Sequence, residues 1–234
     1  KIVFAASTDT ARPALSGVLT REEKGKLLFV ATDGYRLSLK KYTMDAKEKP
    51  VDTISLLVPS RVIKELVLMS KEEGVIKIYG SKQSNQIIFL QNEITLVGRL
   101  IEAEFPAFEK IIPTTFSTKI VFEREDLQKA VKVCFLFARE AANIVRLSVR
   151  KDKAIVSSNT PSVGENTVEI DVKTTGEEAE IAFNARYLLD LFSNINDETM
   201  SFEMTGPLSP GVFKIDKDES FLHLIMPIRV QGES

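Results

Sequence analysis

Apolar residues in this chain alternate with polar ones in short runs, break at turn residues, and three times switch to a helical period. The run "ALSGVLTREEKGKLLFVATDGYRLSLKKY" reads as three antiparallel strands, with Asp33-Gly34 at the second turn, where Gly supplies a positive φ cheaply. "NQIIFLQNEITLVGRLIE" reads as a hairpin turning at Asn92, and "PGVFKIDKDESFLHLIMPI" as another turning at Lys217-Asp218. Between strands, "LLVPSRVIKELVLMSKEEGVIKIYG" passes into about three turns of amphipathic helix and returns to alternation at Ile76 and Ile78.

The pattern occurs twice. In "EIAFNARYLLDLFSNINDETMSFEMTG", Arg186 falls on Arg61, Leu188 on Ile63, Asp190 on Glu65 and Leu191 on Leu66, at one constant offset, with alternation resuming at Met200, Phe202 and Met204. "IVRLSVRKDKAIVSSNTPSVGENTVEIDV" supplies three strands matching the first trio, with Asn159-Thr160-Pro161 in the place of Asp33-Gly34. Each copy is thus expected to be an α+β unit of short antiparallel strands carrying helices on one face. The second copy opens with a strand, "KIVFERE", then Asp126 as N-cap of a helix with the apolar stripe Leu127, Ala130, Val131, Cys134 and Ala138. In the first copy only "KIVFAASTDT" answers to the later part of that helix, so residue 1 is expected inside a helix of a protein that continues upstream. "FEKIIPTTFSTKIVF", broken by Pro113 and two Thr, places the boundary between domains at 1–115 and 116–234.

Composition narrows the chemistry. Of 234 residues, 44% are hydrophobic and 27% charged, enough for a packed core under an ordinary surface. No apolar run has the length of a membrane span, and no signal peptide opens the chain. A single Cys134 makes no internal disulfide, which suits the cytoplasm. One His and one Cys exclude internal multi-His or Cys-cluster zinc sites and argue against a papain-like or triad arrangement. His223 lies in the alternating run "SFLHLIMPIRV" and reads as a strand-face residue. There is no Walker loop and no dinucleotide-binding glycine pattern, so neither catalysis nor a cofactor is expected. A net charge of −2 does not mark a nucleic-acid binder, but says nothing of how charge is distributed.

Four landmarks in order carry a resemblance: "RPALSGVL" (Arg12 to Leu19), "ATDGYRLSL" (Ala31 to Leu39), "EFPAFEKIIP" (Glu104 to Pro113) and "LIMPIRV" (Leu224 to Val230). Together they resemble the bacterial DNA polymerase III β subunits, the replicative sliding clamps, over their middle and C-terminal domains. Tyr35 stands where many of those proteins carry His, Leu224 and Ile225 replace other aliphatics, and the chain runs on through "QGES", a natural extension or an added tail.

The resemblance implies two tandem clamp domains, antiparallel sheets with their helices on the DNA-facing side, in a non-catalytic processivity factor. When full length, such a protein closes as a homodimer into a ring around duplex DNA. Its helix cations, here Arg61, Lys64, Lys129, Lys132 and Arg186, would face the phosphates without reading sequence. It also implies a hydrophobic cleft for short peptides of the Gln-Leu-x-Leu-Phe type, from the polymerase α subunit, the clamp loader and repair proteins. Carried over residue by residue, one wall is Leu15, Thr32, Gly34, Tyr35, Arg36, Leu37, Pro106 and Ile111. The other is Val212, Met226, Pro227, Ile228 and Arg229, with Asn184 and Tyr187 at the margin. Leu15, Leu37, Ile111, Val212 and Met226 would take apolar anchors, while Arg36 and Arg229 would bond the peptide's carbonyls or acids. The rival expectation is a two-domain peptide-binding scaffold without DNA encirclement.

Overall fold

A computed structural model describes residues 1–9, 11–44, 54–69, 74–81, 83–139, 142–160 and 164–229. The chain divides into two compact units, Lys1–Ala107 and Phe108–Ser234. The segment 108–115, read from sequence as the close of the first domain, falls with the second: Phe108 is buried, and Pro113 to Phe116 line a small pocket with Val212 and Lys214.

In the first unit β1 (Gly17–Glu23), β2 (Lys26–Thr32), β3 (Arg36–Thr43) and β4 (Ser55–Pro59) pair antiparallel in the order β4-β1-β2-β3. Helix α1 (Ser60–Met69) follows, then a meander of β5 (Lys77–Ser81), β6 (Gln86–Gln91) and β7 (Ile94–Arg99). At one end these strands are buried on both faces, with Gly17 to Thr20 of β1 and Arg36 to Leu39 of β3 buried in succession. Val18, Val30 and Val58 are fully buried, while the polar far ends of β1 and β3 reach solvent. The β1–β2 turn is Lys24-Gly25, both at positive φ (51° and 78°), the geometry that lets a two-residue loop follow the strand twist.

The second unit repeats the order with an addition at its start. Strand β8 (Thr118–Glu123) and helix α2 (Arg124–Ala138) come first. Then β9 (Ile144–Arg150), β10 (Lys153–Thr160), β11 (Gly164–Asp171) and β13 (Ala179–Asn184) form a sheet ordered β11-β10-β9-β13, the counterpart of β3-β2-β1-β4. Helix α3 (Ala185–Asn194) leads to β14 (Thr199–Met204), β15 (Gly211–Ile215) and β16 (Asp218–Ile225), which extend through β8 to the short β12 (Lys173–Gly176). The expected Asn92 and Lys217 turns are present, both with positive φ. Asn159 and Thr160 end β10, and Pro161 lies outside the described residues.

The core of the second unit is built on phenylalanines. Phe213 packs against Phe202 with ring centroids 4.8 Å apart, and Phe183 and Phe192 stand 6.0 and 6.2 Å from it. All four are buried, as are Met200, Met204 and the stripe Leu127, Ala130, Val131, Cys134 and Ala138 of α2. Two expectations about local structure are corrected. Helix α2 begins at Arg124 behind Glu123, so Asp126 lies in its first turn, where a carboxylate favours the helix dipole without capping it. Residue 1 is not in a helix; a single 3-10 turn spans Val3–Ala5.

Candidate functional site

Three residues, Asp33 to Tyr35, join β2 to β3. One Asp33 oxygen accepts from the N–H groups of Tyr35 and Arg36, at 2.9 and 3.0 Å, and the other meets Arg36 Nε at 3.1 Å. Thr32 Oγ1 donates to the Arg36 carbonyl at 2.6 Å and accepts from Gly34 N–H at 3.1 Å. Arg36 Nη2 donates to the Phe4 carbonyl at 3.0 Å, and its guanidinium lies 5.7 Å from the Phe4 ring centroid. The turn's polar groups thus bind each other, and Tyr35 is left 58% exposed. Gly34 has φ 95°, a conformation that favours glycine, and a Cβ on it would lie 3.6 Å from Arg12 Nη1 and 3.9 Å from Leu15 Cδ1.

The structure therefore brings Leu15, Thr32, Gly34, Tyr35, Arg36 and Leu37 together but divides their roles. Thr32, Arg36 and Leu37 are buried. Arg36, read from sequence as a donor to peptide, is held by Asp33 and Phe4 and sets the shape of the turn instead. Tyr35 and Gly34 form its open rim. Arg12, beside Gly34, belongs with this wall; it opens the "RPALSGVL" landmark, which was the available signal. Pro106 is exposed near the end of the first unit, and Ile111 belongs to the second, in the 3-10 turn Phe108–Ile111.

In the second unit the chain leaves β16 at Ile225, and Ile228 N–H donates to the carbonyl of Ala182 on β13 at 2.8 Å. This bond holds Met226 to Arg229 as a strip on the surface, with Met226 and Arg229 exposed and Pro227 and Ile228 half-buried. Val212 pairs with Leu224 and is buried; its outward neighbour on β15 is Lys214. Asn184 caps α3, its side chain accepting from Arg186 N–H at 3.0 Å, and Tyr187 lies half-buried in the first turn of that helix.

The five helix cations are all exposed: Arg61 and Lys64 on α1, Lys129 and Lys132 on α2, and Arg186 on α3. Helices α2 and α3 pack side by side. Arg124 ties them, its guanidinium donating to the carbonyls of Asp197 and Phe192 at 3.2 and 3.4 Å. The exposed face of α2 is mixed: Lys129 pairs with Glu125 at 3.6 Å, and Val133 and Leu136 are exposed near the lysines. Among the described residues no group of His, Cys, Asp and Glu could hold a metal ion, and no helix is long and apolar enough to cross a membrane.

Two tandem α+β units, alike in strand order, define a pair of clamp-type domains. Residues 1–107 match the central domain of the DNA polymerase III beta subunit, and residues 109–229 match its C-terminal domain. The chain belongs to the DNA polymerase III beta subunit family. It is 33% identical over 231 residues to a beta sliding clamp of Streptococcus pneumoniae, covering 97% of this chain and 60% of that protein. A beta sliding clamp of Staphylococcus aureus is 30% identical over 229 residues, with 97% and 59% covered. Among solved structures, the DNA polymerase III beta subunit of Thermotoga maritima superposes with a TM-score of 0.90 at 28% identity, over 98% of this chain and 62% of that one. The DNA polymerase sliding clamp of Bacillus subtilis gives 0.90 and 28%, over 98% and 60%. The chain thus spans about three-fifths of the length of the relatives it matches.

Proposed function

We propose that this chain supplies the central and C-terminal domains of a cytoplasmic, non-catalytic processivity clamp, which in its full-length homodimeric form encircles duplex DNA. The clamp recruits the polymerase α subunit, the clamp loader and other clamp-motif proteins through short peptides. Topological linkage keeps a polymerase at high effective concentration at the primer end while direct DNA affinity stays weak. The observation that carries the peptide reading is the Met226–Arg229 strip, exposed at both ends and held at its centre by the Ile228–Ala182 bond. Met226 offers an adaptable apolar contact, and Arg229 a charged donor that has no ion pair among the described residues. Tyr35 on its rigid turn is the corresponding exposed anchor of the first unit.

Titration with a fluorescent Gln-Leu-x-Leu-Phe peptide tests this. Two or three apolar anchors, less the ordering they require, give a Kd of about 1–10 μM. Met226→Ala combined with Arg229→Ala should abolish saturable binding while leaving the circular dichroism spectrum unchanged. A folded wild-type chain that fails to bind rejects the peptide reading. The mixed face of α2, with its Glu125–Lys129 pair, favours the scaffold reading without DNA. The same peptide result obtained with a full-length protein that never becomes resistant to dissociation from circular DNA would select that reading.

A further inference from the structure

Beyond the Met226–Arg229 strip, the second unit holds a cleft of about 560 Å³ that no role yet given to the chain uses. Its floor is β13, the edge strand of its sheet, and Ile228 and Arg229 line one side. The β14–β15 turn lines it too, with Pro207 exposed and Leu208 63% exposed. Glu177 is also part of its lining.

We propose that this cleft is a second docking subsite, which takes the residues flanking a peptide anchored on the Met226–Arg229 strip and selects an aliphatic residue next to a basic one. The proposal rests on the peptide reading of that strip. Continuity is the first argument, because Ile228 and Arg229 belong to both surfaces and a bound peptide that passes them enters the cleft. Backbone geometry is the second. Ile228 N–H already bonds the outer edge of β13 at Ala182, and strand alternation turns the N–H and C=O of Glu180 to that same edge. An extended flank can therefore add to β13 as a strand, using main-chain bonds for affinity and side chains for choice.

Side-chain chemistry supplies the choice. Leu208 and Pro207 present apolar surface with no function in the unit's own core. Of the acidic groups, Glu180 is engaged by Arg146 at 3.2 Å and by Ser148 Oγ at 2.6 Å, and Glu178 by Arg150 at 3.7 Å. Glu177 forms no ion pair among the described residues, yet its backbone is fixed. Its N–H donates to the Ser117 carbonyl at 3.1 Å, and its carbonyl accepts from Thr118 Oγ1 at 2.8 Å. A carboxylate on a fixed backbone in the lining of the cleft favours a Lys or Arg on the part of the incoming chain that reaches it and disfavours an acid there.

The test compares the Gln-Leu-x-Leu-Phe core peptide with versions lengthened at either end by Leu and Lys, and with controls lengthened by Ser and Glu. One Leu/Lys peptide should bind about tenfold tighter than the core, since one more apolar anchor is gained against some ordering. Leu208→Ser and Glu177→Lys, both at exposed positions, should each reduce that gain and together remove it, leaving affinity for the core peptide unchanged. If the core binds but neither Leu/Lys extension improves on it, or if the gain survives both substitutions, the subsite is rejected and the strip stands alone. If the core itself does not bind, the peptide reading falls and this inference falls with it.

Discussion

At the scale of single residues, sequence and structure part over what a polar side chain faces. The Asp-Gly pair announced the turn after β2 because the backbone there needs positive φ, a local requirement. That Arg36 turns inward was not legible, because its partner is the carbonyl of Phe4, 32 positions earlier, in a 3-10 turn that hydrophobic patterning does not signal. Cys134 shows the opposite case, a residue whose role follows from its place in an apolar stripe. It is fully buried, its thiol lies against the Val156 carbonyl at 3.3 Å, and burial pushes its pKa from 9.0 to about 11. The thiolate is the reactive form, so alkylation by iodoacetamide at pH 8 should run at least about a hundredfold slower in the folded chain than in urea. The folded pKa is the raised one. The stability tied to this group is therefore whole below pH 9 and is lost as pH climbs toward 11. Equal alkylation rates in the two states would show that the thiol is accessible and the stripe misplaced.

Secondary elements were the most legible level, since strands and helices leave their period in the sequence. The α2 stripe is buried at all five expected positions, and the strand trios recur in matching sheet order. Their ends were less legible. Asp126 looked like an N-cap, yet the cap is Glu123 and the helix starts three residues earlier, because Arg124 N–H bonds the Glu198 carbonyl and its side chain reaches the end of α3. Such a start is set by a distant strand connection and not by local capping preference. Arg124 is thus a clasp: its guanidinium satisfies carbonyls at Phe192 and Asp197 and meets Gln128 at 3.1 Å. Arg124→Ala should destabilise the chain by about 1–3 kcal/mol, as partly buried carbonyls lose charged donors. Urea unfolding followed by circular dichroism would measure this. Loss of less than about 0.5 kcal/mol, the scale of ordinary surface changes, would mean that water replaces the clasp.

Across the whole molecule, the repeat read from sequence is present in both units, but the units are not equally provided with core. Helix α3 buries Ala185, Leu188, Leu191 and Phe192 and packs on α2, whereas α1 buries only Ile63 and leaves Val67 and Leu68 more than half exposed. Strand β5 is exposed along its whole length, with Tyr79 at 53%. Strand β8 and helix α2 have no counterpart among the described residues of the first unit, so α1 there has no second helix like the one α3 packs on. Apolar burial is the main favourable term in folding, and it must exceed the conformational entropy lost by every ordered residue. The balance should therefore differ sharply between the units when each is produced alone. Residues 108–234 should unfold in one cooperative urea transition, with a stability of about 5 kcal/mol or more, the ordinary range for a domain with a closed core. Residues 1–107 should bind ANS and unfold without a sharp transition, as expected where secondary structure forms over incompletely packed apolar surface. A cooperative, dye-free first unit of equal stability would mean that its strand alternation alone supplies a sufficient core, and that the exposed faces of α1 and β5 cost it little.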